Sequence, residues 1–85
     1  MMDHKVLVEI HVPVSGEKFD VFLPLDTRMS DVILMVCSVI NELSAGKFRA
    51  GKDAVLCNAD TGIIYNVNIT VAELEIQNGS RLMLI

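Results

Sequence analysis

ITVAELEIQNGSRLMLI, residues 69–85, is the stretch whose reading decides the fold of this 85-residue sequence. Thr70 and Glu73 stand at capping-box spacing, at which hydroxyl and carboxylate each accept the other's backbone N–H. A short helical turn over about 70–74 follows, with Val71, Leu74 and Ile76 turned inward. Asn78-Gly79 is a turn pair, and residues 81–85 read as a strand. The last four residues are all large and apolar, whereas most chain ends are loose and solvated. A strand of that kind belongs in the middle of a sheet, with Leu82 and Leu84 against whatever covers it. Strand alternation then turns Met83 and Ile85 to the opposite face.

Working back along the chain, KVLVEIHV (5–12) alternates, with Val6, Val8, Ile10 and Val12 on one face and Lys5, Glu9 and His11 on the other. PVSG (13–16) has turn chemistry, and EKFDVFLPL (17–25) alternates again, with Phe19, Val21 and Leu23 inward. The two runs make an antiparallel hairpin whose outer face carries Leu7 and Phe22. Asp26 and Thr27 each offer a helix N-cap oxygen, and Asp31 adds negative charge to the first turn. Met29, Val32, Ile33, Val36, Ile40 and Leu43 recur at threes and fours, the apolar stripe of one helix. Ser44-Ala45-Gly46 ends it, with Gly46 suited to a left-handed position. After a loop holding Lys47, Arg49 and Lys52, DAVLCN (53–58) reads as a strand, ADTG (59–62) as a turn and IIYNV (63–67) as a second short strand. The order predicts one α+β domain over residues 1–85: a mixed sheet of four to five strands packed on one long helix, about 28–45.

Composition narrows the function. The apolar share is 52% and the charged share 21%, which excludes disorder and leaves apolar side chains for the surface, hence for a partner or an oligomer. Eleven acidic residues against seven basic ones give a net charge of -4, which argues against nucleic-acid binding. The spacing of Lys47, Arg49 and Lys52 fits a solvated connection and no phosphate-loop pattern. The uncharged run 32–41 is shorter than the ~20 residues a bilayer requires, and Glu9 and His11 interrupt any signal-peptide core. A cytoplasmic protein without membrane insertion is expected. Cys37 and Cys57 lack C-x-x-C spacing and read as small buried hydrophobes. His4 lies at the terminus, and His11 is on a polar strand face with no Cys or Asp at a fixed near spacing. No catalytic residue, metal ligand or cofactor site is expected.

The order and punctuation resemble ubiquitin and its β-grasp relatives over nearly the whole chain. The resemblance is carried by LPLDTRMSDVILMV (23–36), similar to ubiquitin's strand end and helix start, and by residues 69–85, similar to its threonine-led turn and final strand. Among bacterial proteins the chain is similar to the YukD/EsaB-like family, small ubiquitin-like proteins encoded with the type VII (Ess/Yuk, WXG-type) secretion systems of Gram-positive bacteria. The resemblance implies a ubiquitin-like β-grasp roll and a non-catalytic adaptor or regulator that binds a secretion component. It places Leu56, Met83 and Ile85 where ubiquitin carries its outward apolar patch, so that Leu56→Ala and Met83→Ala should weaken partner capture and leave the fold intact. Leu34 and Met35, which interrupt the polar helix face of Asp31, Ser38, Asn41 and Glu42, form a secondary candidate surface together with Leu7 and Phe22. Conjugation and sulfur transfer need a flexible Gly-Gly tail that threads a narrow channel. This sequence has Ile85 in a strand instead, so a carrier or modifier role requires a longer native chain. A structural module that forms a homodimer through its apolar surface is the other alternative.

Overall fold

The structure, a computed structural model, describes residues 4–46 and 53–85; the basic cluster Lys47, Arg49 and Lys52 lies outside the described residues. The two alternating runs form β1 (Lys5–Val12) and β2 (Glu17–Pro24), followed by α1 (Met29–Leu43), β3 (Leu56–Asn58) and β4 (Arg81–Leu84). Sheet order is β2-β1-β4-β3. β1 pairs antiparallel with β2 and parallel with β4, and β3 pairs antiparallel with β4. The terminal strand therefore sits inside the sheet, as its apolar sequence requires, in an α+β roll of the β-grasp type. Val6, Val8, Ile10 and Val12 of β1, Val21 and Leu23 of β2 and Leu82 and Leu84 of β4 share one buried core with Met29, Val32, Val36 and Ile40 of α1.

Among the described residues four strands form, and IIYNV is not a fifth. Its contact with β3 is an isolated bridge between Cys57 and Ile64, made by Asn58 N–H to Ile63 O (2.9 Å) and Tyr65 N–H to Leu56 O (3.1 Å). Asn66 then ends the pairing, because its side chain accepts the Asn68 N–H at 2.9 Å and folds the chain into a local turn. β3 is shorter than DAVLCN, although Val55 and Ile85 exchange both backbone hydrogen bonds, at 2.8 and 3.0 Å, one pair beyond its end.

Helix α1 also starts differently from the sequence reading. Arg28, with extended backbone, occupies the N-cap position, and no side chain caps the helix. Neither Asp26 nor Thr27 does so, because the backbone of the 67–71 segment does it instead. Met29 N–H donates to Ile69 O and Ser30 N–H to Val67 O, both at 3.0 Å, while Val71 N–H returns a bond to Thr27 O. Orphan amides of the first turn are thus satisfied by a distant piece of chain. At the other end, Gly46 N–H reaches Asn41 O at 2.8 Å, with Ala45 and Gly46 both left-handed. Leu43, expected inward, is 57% exposed. The buried positions 29, 32, 36 and 40 continue to Ser44, which takes the inward place.

The capping box forms as its spacing predicts. Thr70 N–H donates to Glu73 Oε1 at 3.1 Å, and Glu73 N–H donates to Thr70 Oγ1 at 3.2 Å. Leu74 N–H to Thr70 O closes one helical turn, which buries Val71 and Ile76. Gly79, at φ +90°, completes the turn from Gln77 to Ser80 and donates its N–H to Leu7 O at 2.8 Å. That turn delivers Arg81 beside Glu9 and sets the register of β4.

Candidate protein-binding face

The pairing register sorts the sheet's outer face into rows. One row runs Lys18, His11, Met83, Cys57, Ile64 across all four strands and onto the neighbouring connection. Beside it stands the Val55–Ile85 pair, and on its other side the row Asp20, Glu9, Arg81. Leu7 and Phe22 pair further along the hairpin.

Leu56 is not on this face. It is 1% exposed, because β3 pairs Leu56 with Leu84 and so shares the inward face of Leu82 and Leu84. The residue opposite the outward Met83 is Cys57. The resemblance placed the patch one residue early, and a one-residue slip exchanges the two faces of a strand. Cys57 is itself 1% exposed, with Sγ 3.7 Å from Met83 O, and burial pushes its thiol up. Cys37 is half-buried, and burial raises its thiol too.

Of the remaining expected residues, Met83 is half-buried and Ile85 57% exposed, and the fold brings them together. They are joined by Ile64, 58% exposed, which the sequence reading did not single out. The signal was present in Ile63-Ile64, since adjacent residues of an extended segment face opposite ways and both cannot enter one core. Leu7 and Phe22 are exposed on the same side of the sheet, with Lys5 Nζ 5.0 Å above the Phe22 ring. The Asp20, Glu9, Arg81 row separates them from Met83, so the face carries two apolar areas with a charged band between. Leu34 is exposed on the helix, whereas Met35 packs against the core and does not pair with it as a surface.

The charged band is internally linked. His11 Nε2 lies 2.8 Å from Glu9 Oε1. That hydrogen bond holds the Glu9 carboxyl below the ordinary range, helped by the charges of His11, Lys18 and Arg81. Arg81 also pairs with Asp60 across the end of β3. Among the described residues no group of three or more His, Cys, Asp or Glu could hold a metal ion, and no helix is long and apolar enough to cross a membrane. The arrangement offers shape and apolar area.

No family model and no curated protein matches this sequence. Solved structures do. The EccD5 ubiquitin-like domain of Mycobacterium xenopi superposes with a TM-score of 0.79 at 23% identity, covering 95% of this chain and 92% of that one. The ubiquitin-like domain of the Mycobacterium tuberculosis type VII secretion protein EccD1 gives 0.75 at 18% identity, covering 95% and 97%. A component of the ESX-5 inner membrane complex gives 0.72 at 22% identity, covering 96% of this chain and 21% of that much longer one. The chain has the ubiquitin-like β-grasp fold.

Proposed function

We propose that this chain is a non-catalytic ubiquitin-like adaptor of type VII protein secretion, of the YukD/EsaB-like kind, which acts in the cytoplasm by binding a secretion component. The observation that carries the binding mode is the apolar group Ile64, Met83 and Ile85, set on a rigid sheet face by the pairing of Cys57 with both Met83 and Ile64. The likeness to EccD ubiquitin-like domains supports the secretion context. Methionine at the centre of the group suits adaptable contacts, and the aliphatic side chains around it exclude water.

Co-purification with the type VII membrane complex of the encoding organism tests this reading. Ile64→Asp and Ile85→Asp each place a charge on an already exposed position and should reduce capture by about tenfold or more, the loss typical of a central contact. Leu34→Asp, on the helix, should bind as the parent does. Undiminished capture by both sheet variants would overturn the assignment.

A further inference from the structure

β2 is an edge strand of eight residues. Among the described residues, no backbone group outside the sheet bonds to positions 18–24. Edge strands of soluble proteins are ordinarily shortened, bulged, covered, interrupted by proline or marked with charged side chains, and of these β2 carries only the charges and a terminal proline. Here every residue from 17 to 24 pairs regularly with β1, and the strand's proline is its last residue, Pro24. Among the described residues its charges form no close ion pair within the chain, although Lys18 acts at longer range on Glu9. The outer-face neighbour of Asp20 on β1 is Glu9, and that of Lys18 is His11, so neither faces an opposite charge across the hairpin. Neither forms an ion pair among the described residues, where the two pairs are His11–Glu9 and Arg81–Asp60.

We propose that the β2 edge pairs antiparallel with the β2 edge of a second copy, about a two-fold axis passing through Phe19. Charge complementarity selects this register. Centring on Phe19 sets Lys18 of each copy opposite Asp20 of the other, giving two cross-strand pairs of opposite sign. Centring one residue later sets Asp20 against its own copy, and like charges directly opposite are destabilising. Centring two residues later leaves Lys18 opposite Pro24 and Asp20 opposite Phe22. On the inner face the chosen register brings Phe19, half-buried at the core margin, against its symmetry mate. A two-fold axis perpendicular to the sheet keeps both outer faces on one side. The dimer would then be a continuous eight-stranded sheet that presents two Ile64–Met83–Ile85 groups to the same partner surface, a bivalent arrangement. The inference stands apart from the adaptor reading, because it concerns a different edge of the sheet.

Sedimentation equilibrium across a dilution series, with amide exchange at low and high protein concentration, tests it on the whole chain. The parent should show a monomer–dimer equilibrium, with amides in the 17–22 stretch gaining protection as concentration rises. Lys18→Glu and Asp20→Lys should each weaken the dimer by about tenfold, because each turns two attractions into two repulsions. The double variant Lys18→Asp with Asp20→Lys restores opposite signs and should return the dissociation constant to within about threefold of the parent. A chain that stays monomeric up to millimolar concentration would overturn the proposal. So would a dimer whose β2 amides gain no protection, or one indifferent to the single reversals.

Discussion

Leu56→Ala separates two arrangements that look alike in sequence. If the side chain belonged to the outer patch, its truncation would cost binding and spare the fold. The structure puts it at 1% exposure within the core formed by β4 and α1. Removing a buried leucine side chain to alanine leaves a cavity and typically costs ~2–5 kcal/mol. A domain of this size has ~5–15 kcal/mol in total. At ~3 kcal/mol, and ~4–8 °C per kcal/mol for a domain of this length, the midpoint should fall by ~12–24 °C. Leu56→Met, which nearly conserves volume, should cost less than ~1.5 kcal/mol. The sequence contains no tryptophan, so urea and thermal unfolding followed by far-ultraviolet circular dichroism is the suitable assay. A Leu56→Ala protein that unfolds within ~1 kcal/mol of the parent yet loses its partner would show that β3 is paired one residue away from the register described.

Two further outcomes follow from the same geometry. Glu73 accepts the Thr70 N–H and hydroxyl, and these bonds hold its carboxyl below the ordinary value of 4.5. A depressed carboxylate contributes stability that is fully present above the unfolded value and is lost as pH falls through the folded one. The capping-box contribution should therefore be constant from neutrality down to about pH 5 and fade below about 4.5, and Glu73→Gln should remove that part of the pH dependence. A carboxyl titration by NMR that places Glu73 at or above 4.5 would refute this. Cys57, 1% exposed and with its thiol pushed up by burial, should be alkylated at pH 8 only as fast as the domain opens, and more slowly than the half-buried Cys37. Mass spectrometry of the labelled peptides reads both rates, and labelling of Cys57 at the rate of the urea-unfolded chain would show that the thiol is not buried.

What was legible in the sequence was most of what depends on local chemistry. Alternation gave β1 and β2 with their inward faces, the Thr70–Glu73 spacing gave a capping box with both bonds made, and Gly46 and Gly79 sit at the left-handed positions their turns require. The apolar final strand lies between β1 and β3, as residues of that kind must. Two features were not legible, one decided by a distant partner and one by a local asparagine turn. Asp26 and Thr27 are good caps by type, but the carbonyls of Val67 and Ile69 reach the first-turn amides and leave a side-chain cap nothing to do. A second short strand at residues 63–67 fits alternation equally well, but the asparagine turn at Asn66 stops the pairing after one bridge.

The candidate site illustrates the sharper limit. Alternation within β4 suffices to send Met83 and Ile85 outward once Leu82 and Leu84 are known to be inside. β3 has no such internal reference, because Val55, Leu56 and Cys57 are three consecutive apolar residues and any of them could satisfy a buried position. Which one faces out is fixed only by the pairing of Cys57 with Met83, and that pairing is held by the doubled bond between Val55 and Ile85 and by Ala59 N–H on Arg81 O. The same register carries Ile64 into line with Met83 through Cys57. The composition of the proposed binding face is thus a property of strand register rather than of any one strand's sequence. A substitution that shifted β3 by one residue would exchange Leu56 for Cys57 on the outer face and take Ile64 out of the row, all without altering a single residue of the patch.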